Sequence, residues 1–257
     1  MYCTLAIDSG NTNIKWGLFV DGKLINRHCV SCKRTDLLKS EFILLSKPQF
    51  IIISHVAHSS TKTKINEIIS IWPSDVYWLN SDIQQCGVRN GYVNPQQLGS
   101  DRWAALIAAW NLNHRSCLVI NVGTAMTIDA LSDSGDYLGG IIIPSTYLLT
   151  KCLTQNTQLQ NTGLGVGVFD DFPVNTQDAI YSGAIQALVG AIDRVYHLLA
   201  SKVNHTDSIC IISGGGAHAI IPYLKHPYKF IDCLVLNGLF LIAEQIRQNQ
   251  SEVILST

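Results

Sequence analysis

The stretch Leu5-Ala6-Ile7-Asp8-Ser9-Gly10-Asn11-Thr12-Asn13 decides the fold, because it returns as Leu118-Val119-Ile120-Asn121-Val122-Gly123-Thr124-Ala125-Met126-Thr127. Each copy is an apolar run, then a polar residue, then glycine and threonine in a turn. A short apolar run reads as a buried strand, and Gly with Asn or Thr after it reads as a tight turn. That turn exposes backbone N–H groups and hydroxyls, the donors a phosphate needs, while Asp8 can face a cation or its water shell. An ordinary Asx-type turn has the same composition, so one copy leaves both readings open. Two copies, one in each half, point to a duplicated nucleotide-binding fold with phosphates held between the halves.

Outward from the first copy, strands are predicted over Thr4–Ile7 and Lys15–Val20. Asp21-Gly22 is a hairpin signal that leads to a third strand over Lys23–Cys29. A helix follows over Asp36–Leu45, then a buried parallel strand over Phe50–Ser54, a helix over Lys62–Ile71 and a strand over Val76–Leu79. Three strands followed by alternating helix and strand is the pattern of a ribonuclease-H-like domain. Gln97–Arg102 opens a helix that runs to Trp110. The second half repeats the order, with strands over 117–121, 125–131 and 137–143 and a turn at Ser134-Gly135-Asp136. A helix begins after Pro144 and another spans Thr176–Ser201. A strand over Ser208–Ile212 ends in Gly214-Gly215-Gly216, and a final helix covers Asn237–Gln248. The expected fold is therefore α/β, two ribonuclease-H-like domains around an interdomain cleft. The expected domains are 1–113 and 114–257, with the break near Leu112-Asn113-His114-Arg115-Ser116 and no linker.

Composition narrows the partners. In 257 residues, 47% are hydrophobic and 14% charged, enough apolar side chain for large buried cores. The net charge of −1 provides no diffuse basic surface, so no nucleic-acid partner is expected. The N-terminal apolar run reaches Asp8 too soon for a secretory signal or membrane span, and the other apolar runs have strand length. The expectation is a cytoplasmic chain with no membrane partner. Eight cysteines include a single CxxC, Cys29 and Cys32, beside His28. No second ligand group follows at zinc spacing, so reduced free thiols are expected.

Two further segments carry chemistry. In Gly99-Ser100-Asp101-Arg102, Asp101 and Arg102 fall in the first turn of a helix, where free N–H groups and the dipole favour anions. A carboxylate there can take a proton from an attacking alcohol, and Arg102 can steady charge on the substrate. The alternative is that Asp101 only caps the helix and Arg102 is a surface cation. Ser213-Gly214-Gly215-Gly216-Ala217-His218 is a glycine turn that lets backbone approach a ligand, or a plain strand-to-helix turn. Neither G-x-x-x-x-G-K-[ST] nor G-x-G-x-x-G is present, which disfavours P-loop and dinucleotide folds. His55 and His218 read as structural or surface residues, and Trp16, Trp103 and Trp110 as core.

Taken together, these segments resemble type III pantothenate kinases, in order and over essentially the whole chain. The resemblance rests on Asp8-Ser-Gly-Asn-Thr12, Tyr92-x-x-Pro95-x-x-Leu98-Gly99-Ser100-Asp101-Arg102 and Gly123-Thr124-Ala125-Met126-Thr127-Ile128-Asp129. Gly139-Gly140-Ile-Ile-Ile-Pro144, Thr176-x-x-Ala179-Ile180-x-Ser182-Gly183 and Ser213-Gly214-Gly215 complete it. It implies the actin and sugar-kinase superfamily fold and ATP-dependent phosphorylation of pantothenate, the first step of coenzyme A biosynthesis.

By the resemblance, Asp8, Ser9, Gly10, Asn11, Thr12 and Asn13 hold the ATP phosphates, Asp8 assists magnesium, and Thr124 contacts ATP. Tyr92, Gly99, Ser100, Asp101, Arg102 and Thr176 line the pantothenate site, with Asp101 as general base. A monovalent cation (K⁺ or NH₄⁺) and a homodimer are also implied. Three positions depart from the pattern. Asn121 stands where the family has its cation-binding aspartate, Pro144-Ser145 replaces Pro-Gly, and Asn237-Gly238-Leu239 replaces Glu-Gly-Leu. The alternatives are a nucleotide-binding accessory protein of the same family with little turnover, and another kinase of the superfamily.

Overall fold

The computed structural model describes residues 2–155, 167–203 and 207–255. Strands β1 (Cys3–Ser9), β2 (Asn13–Val20) and β3 (Lys23–Ser31) form an antiparallel meander. Its second turn uses Asp21 and Gly22 at φ 45° and 83°, the left-handed pair that a two-residue hairpin demands. Helix α1 (Thr35–Phe42) leads to β4 (Phe50–His55), which lies parallel to β1. Helix α2 (Ser59–Ile69) leads to β5 (Asp75–Trp78), parallel to β4. The resulting order is β3-β2-β1-β4-β5.

Strand alternation sorts the side chains of this sheet. Leu5, Ile7, Ile51 and Ile53 point into one core with Leu38, Phe42, Ile65 and Ile69 of α1 and α2. Two very short strands, β6 (Gln84–Gln85) and β7 (Val88–Asn90), then form a hairpin that two or three residues could not announce in the sequence. Its turn again has left-handed residues, Cys86 at φ 49° and Gly87 at φ 82°. Helix α3 (Ser100–Asn113) follows and is buried at nearly every position from Ser100 to Ala109.

The second unit repeats the plan. Strands β8 (Cys117–Val122), β9 (Ala125–Leu131) and β10 (Asp136–Pro144) are antiparallel. Helices α4 (Thr146–Gln155) and α5 (Thr176–Val203) precede β11 (Ile209–Ser213), parallel to β8, and β12 (Tyr228–Phe230), parallel to β11. The order β10-β9-β8-β11-β12 matches that of the first sheet. The duplication extends to the pairing at the ends of the central strands. Asp8 at the end of β1 sits opposite Ser54 on β4, and Asn121 at the end of β8 sits opposite Ser213 on β11.

The last helix, α6 (Leu234–Leu255), goes elsewhere than its place in the sequence suggests. The compact units are residues 1–114 with 233–257, and residues 115–232. The stretch 233–257, expected with the second half, therefore joins the first unit, where α6 packs on α3, β1 and β4. The physical reason is Gly238. A Cβ there would stand 1.8 Å from the Ala104 carbonyl oxygen, so α6 and α3 meet backbone to backbone through glycine and alanine. Only a residue without a side chain allows that approach. Among the described residues, no helix is long and apolar enough to cross a membrane.

Candidate active site

The site of the first unit begins with strand alternation. Leu5 and Ile7 face α1 and α2, so Asp8 faces the other side of the sheet, as does Ser54 on β4. Helix α3 approaches that side. Ser100, its first residue, places Oγ 2.9 Å from Ser54 Oγ and accepts the His55 N–H at 3.1 Å. These bonds pin the start of α3 to the end of β4. Asp101, in the first turn, accepts the Arg102 backbone N–H on Oδ1 at 2.8 Å. The carboxylate folds back over Gly99, where a Cβ would lie 2.7 Å from the same oxygen. Glycine before the helix is thus what leaves room for the Asp101 carboxylate.

Asp8 is buried, and its carboxyl is pushed up to about 7, first by burial and then by the negative charge of Asp101. Lys15, directly opposite on β2, pulls the other way but does not cancel these effects. Two carboxylates therefore feel each other across the ends of β1 and α3. Burial and a second carboxylate together disfavour the ionised form of Asp8.

The Tyr92-to-Arg102 spacing has a structural explanation. Asn90 Nδ2 donates to the Pro95 carbonyl at 3.2 Å, and Asn90 Oδ1 accepts the Tyr92 N–H at 3.0 Å. The Tyr92 hydroxyl then accepts from Arg102 Nη1 at 2.9 Å. Arg102 is only 7% exposed and its guanidinium lies 5.8 Å from the Tyr92 ring centre. A buried, oriented cation stands one residue from Asp101, so Arg102 is not the surface cation of the alternative reading.

The turn after β1 is closed by the Gly10 N–H donating to the Asn13 carbonyl at 3.1 Å. Cys32 braces it from outside, its N–H on the Thr12 carbonyl at 2.9 Å and its Sγ 3.1 Å from the Gly10 carbonyl. Within the unit, Asn11, Thr12 and Asn13 are exposed, while Ser9 is fully buried. Ser9 Oγ lies 3.0 Å from His55 Nδ1. Burial, and then the charge of Lys62, holds the His55 imidazole below its usual range. All eight cysteines are free thiols, and burial raises both Cys29 and Cys32.

Sequence reasoning missed Lys15, Ser54 and His55. Alternation along β2, with Ile14 and Trp16 buried in the core, was a usable signal that Lys15 shares a face with Asp8. Ser54 and His55 carried no such signal, because a long-range hydrogen bond defines each.

The second unit brings its own group together. Asn121 is the penultimate residue of β8, and Thr124 lies exposed in the β8–β9 turn. Gly214, at φ 98°, lies so close that a Cβ would stand 2.4 Å from the Val122 carbonyl oxygen and 2.8 Å from Asn121 Oδ1. The Gly216 N–H donates to the same Val122 carbonyl at 3.0 Å. The glycine turn is thus seated against Asn121 and the turn bearing Thr124. Thr176 is placed elsewhere in this unit, exposed at the start of α5 on the wall of a cavity of about 750 Å³ between α4 and α5. Asn175 caps that helix, with Oδ1 accepting the Asp178 N–H at 2.9 Å.

Comparison with known proteins identifies the family. Residues 4–198 match the family model described as type III pantothenate kinase. The type III pantothenate kinase of Nitrosospira multiformis is 45% identical over 249 residues, 96% of this chain and 93% of its own. That of Nitrosomonas eutropha is 42% identical over 242 residues, covering 93% and 94%. Among solved structures, a Baf family protein of Campylobacter jejuni shares the fold with a TM-score of 0.60 at 21% identity, over 95% of this chain and 99% of its own. The matched span contains both turns, the Asp101 segment and Thr176, and the chain belongs to the type III pantothenate kinase family.

Proposed function

We propose that this chain transfers the γ-phosphoryl group of ATP to the primary hydroxyl of pantothenate, giving 4′-phosphopantothenate for coenzyme A synthesis, with Asp101 as general base. The observation that carries the residue assignment is the electrostatic coupling of Asp8 and Asp101, with buried Arg102 beside the latter. Phosphoryl transfer asks little covalent chemistry of a protein; it asks for positioned phosphates, compensated charge and an oriented nucleophile.

Asp8 supplies a hard oxygen donor in a buried place short of positive charge, which fits a divalent cation such as Mg²⁺. When bound with ATP, that ion neutralises charge on the phosphate oxygens. Ser9, Gly10, Asn11, Thr12 and Asn13 bind the phosphates through the turn, and Thr124 adds a hydroxyl. Tyr92, Gly99, Ser100, Arg102 and Thr176 bind pantothenate. Asp101 accepts the hydroxyl proton as the oxygen bonds to phosphorus, and Arg102 offsets the charge that develops. The chain acts as a homodimer in the cytoplasm, a reducing compartment suited to its eight free thiols.

A coupled assay of ADP release tests the reading. ADP should form in step with pantothenate added and cease without it. Equal release in the absence of pantothenate would overturn the assignment.

Asn121 sets a second prediction. Its amide oxygen can coordinate K⁺ or NH₄⁺ but brings no formal charge to the cation site. Half-saturation by potassium should therefore be at a higher concentration in this chain than in its Asn121→Asp variant. Titrating activity with KCl in both checks this, and identical curves would refute it.

A further inference from the structure

Away from the kinase residues, the second unit gathers two imidazoles and a carboxylate. Asp193 and His197 stand four residues apart on α5, hence on one helix face. His226 reaches the same point from the segment before β12. Its Nε2 lies 2.9 Å from Asp193 Oδ1, and His197 Nε2 lies 3.6 Å from that oxygen. All three ligand atoms fall within 4.8 Å of one another. A tetrahedral ion with donor bonds of about 2.05 Å needs donors about 3.3 Å apart. The two shorter separations bracket that value, and a rotation of the exposed His197 ring closes the third.

The fold holds His226 ready. Its ring stacks on Tyr196 with centres 3.8 Å apart and planes 12° from parallel. Tyr196 is itself anchored through its hydroxyl to the Ser208 carbonyl at 2.6 Å. The next residue, Pro227, accepts the Cys210 N–H on its carbonyl at 2.9 Å, which ties the segment to β11. His226 is mostly buried, whereas His197 and Asp193 open to solvent and leave an approach for an ion.

We infer that Asp193, His197 and His226 form a binding site for a first-row divalent transition-metal ion, zinc foremost, that joins α5 to the segment before β12. Two imidazoles and one carboxylate suit such ions, whereas magnesium and calcium prefer an all-oxygen set. A shared hydrogen bond among Asp193 and the two histidines would give similar distances without any ion, and the experiment separates the two.

The full chain, free of any affinity tag, is titrated with ZnCl₂ by calorimetry and with CoCl₂ by visible absorption. One equivalent should bind, and the cobalt spectrum should show nitrogen and oxygen coordination without a thiolate charge-transfer band. His197→Gln, at an exposed position that leaves the fold intact, should weaken zinc binding at least about tenfold, since even loss of an outer-shell partner costs 10–100-fold. His226→Gln should do the same. Zinc should raise the melting temperature of the parent chain but not of a variant carrying both His197→Gln and His226→Gln. Affinity unchanged in His197→Gln, or a thiolate band that disappears with Cys29→Ser and Cys32→Ser, would overturn the site. So would the absence of zinc binding altogether.

Discussion

Asp101→Asn should lower pantothenate-dependent ADP release by about 10²- to 10⁴-fold, the usual range for loss of a general base. The substitution keeps the shape of the side chain. An asparagine Oδ1 can still accept the Arg102 N–H and lie over Gly99, so the start of α3 should stay in place. What disappears is the ability to take a proton. The same change also removes the negative charge that helps to raise Asp8, so Asp8 should ionise more readily. The KM for ATP should therefore hold or improve while kcat falls, a split that a merely structural role for Asp101 would not produce. Steady-state kinetics in ATP at saturating pantothenate measure both. A variant with the parental kcat would refute the base assignment.

Asp8→Asn should abolish transfer, with at least about a 10³-fold loss, yet make the metal-free chain more stable at alkaline pH. In the folded chain Asp8 keeps its proton up to about pH 7, against a reference value of 3.8. The folded state thus binds more protons than the unfolded state between those values, and stability falls as pH rises through that window. Above pH 7 the full cost is present, on the order of 4 kcal/mol for such a difference. Near pH 4 and below it vanishes. Melting curves in EDTA should therefore show Asp8→Asn at least about 5 °C more stable at pH 8, with the gap closed near pH 4. A variant less stable than the parent at pH 8 would show that the Asp8 charge is satisfied rather than strained. Adding magnesium and ATP should narrow the gap by stabilising only the parent.

Much of the architecture was legible because it is written in local signals. Apolar runs of strand length marked β1, β4 and β8, and Asp21-Gly22 marked its hairpin through residues that tolerate left-handed backbone. The recurrence of strand, polar residue and glycine turn exposed the duplication, which the matching strand orders bear out. The Asp101 helix start was readable for the same reason, since glycine before an acidic first turn is a local pattern. Helix α6 was misassigned because nothing within residues 233–257 says what Gly238 touches.

The amino-acid sequence by itself determined the repeated α/β plan, the placement of Asp8 and Asn121 at equivalent strand ends, and the family to which the chain is similar. Each follows from the order of side chains along the backbone. Only the tertiary structure decided that Lys15 and Asp101 act on Asp8, that Tyr92 and Arg102 hold each other, and that His226 meets Asp193 and His197. Electrostatic and hydrogen-bonding relations depend on distances of a few ångströms. Residues such as Asp8 and Asp101, or Asp193 and His226, come that close only when sheets and helices have stacked.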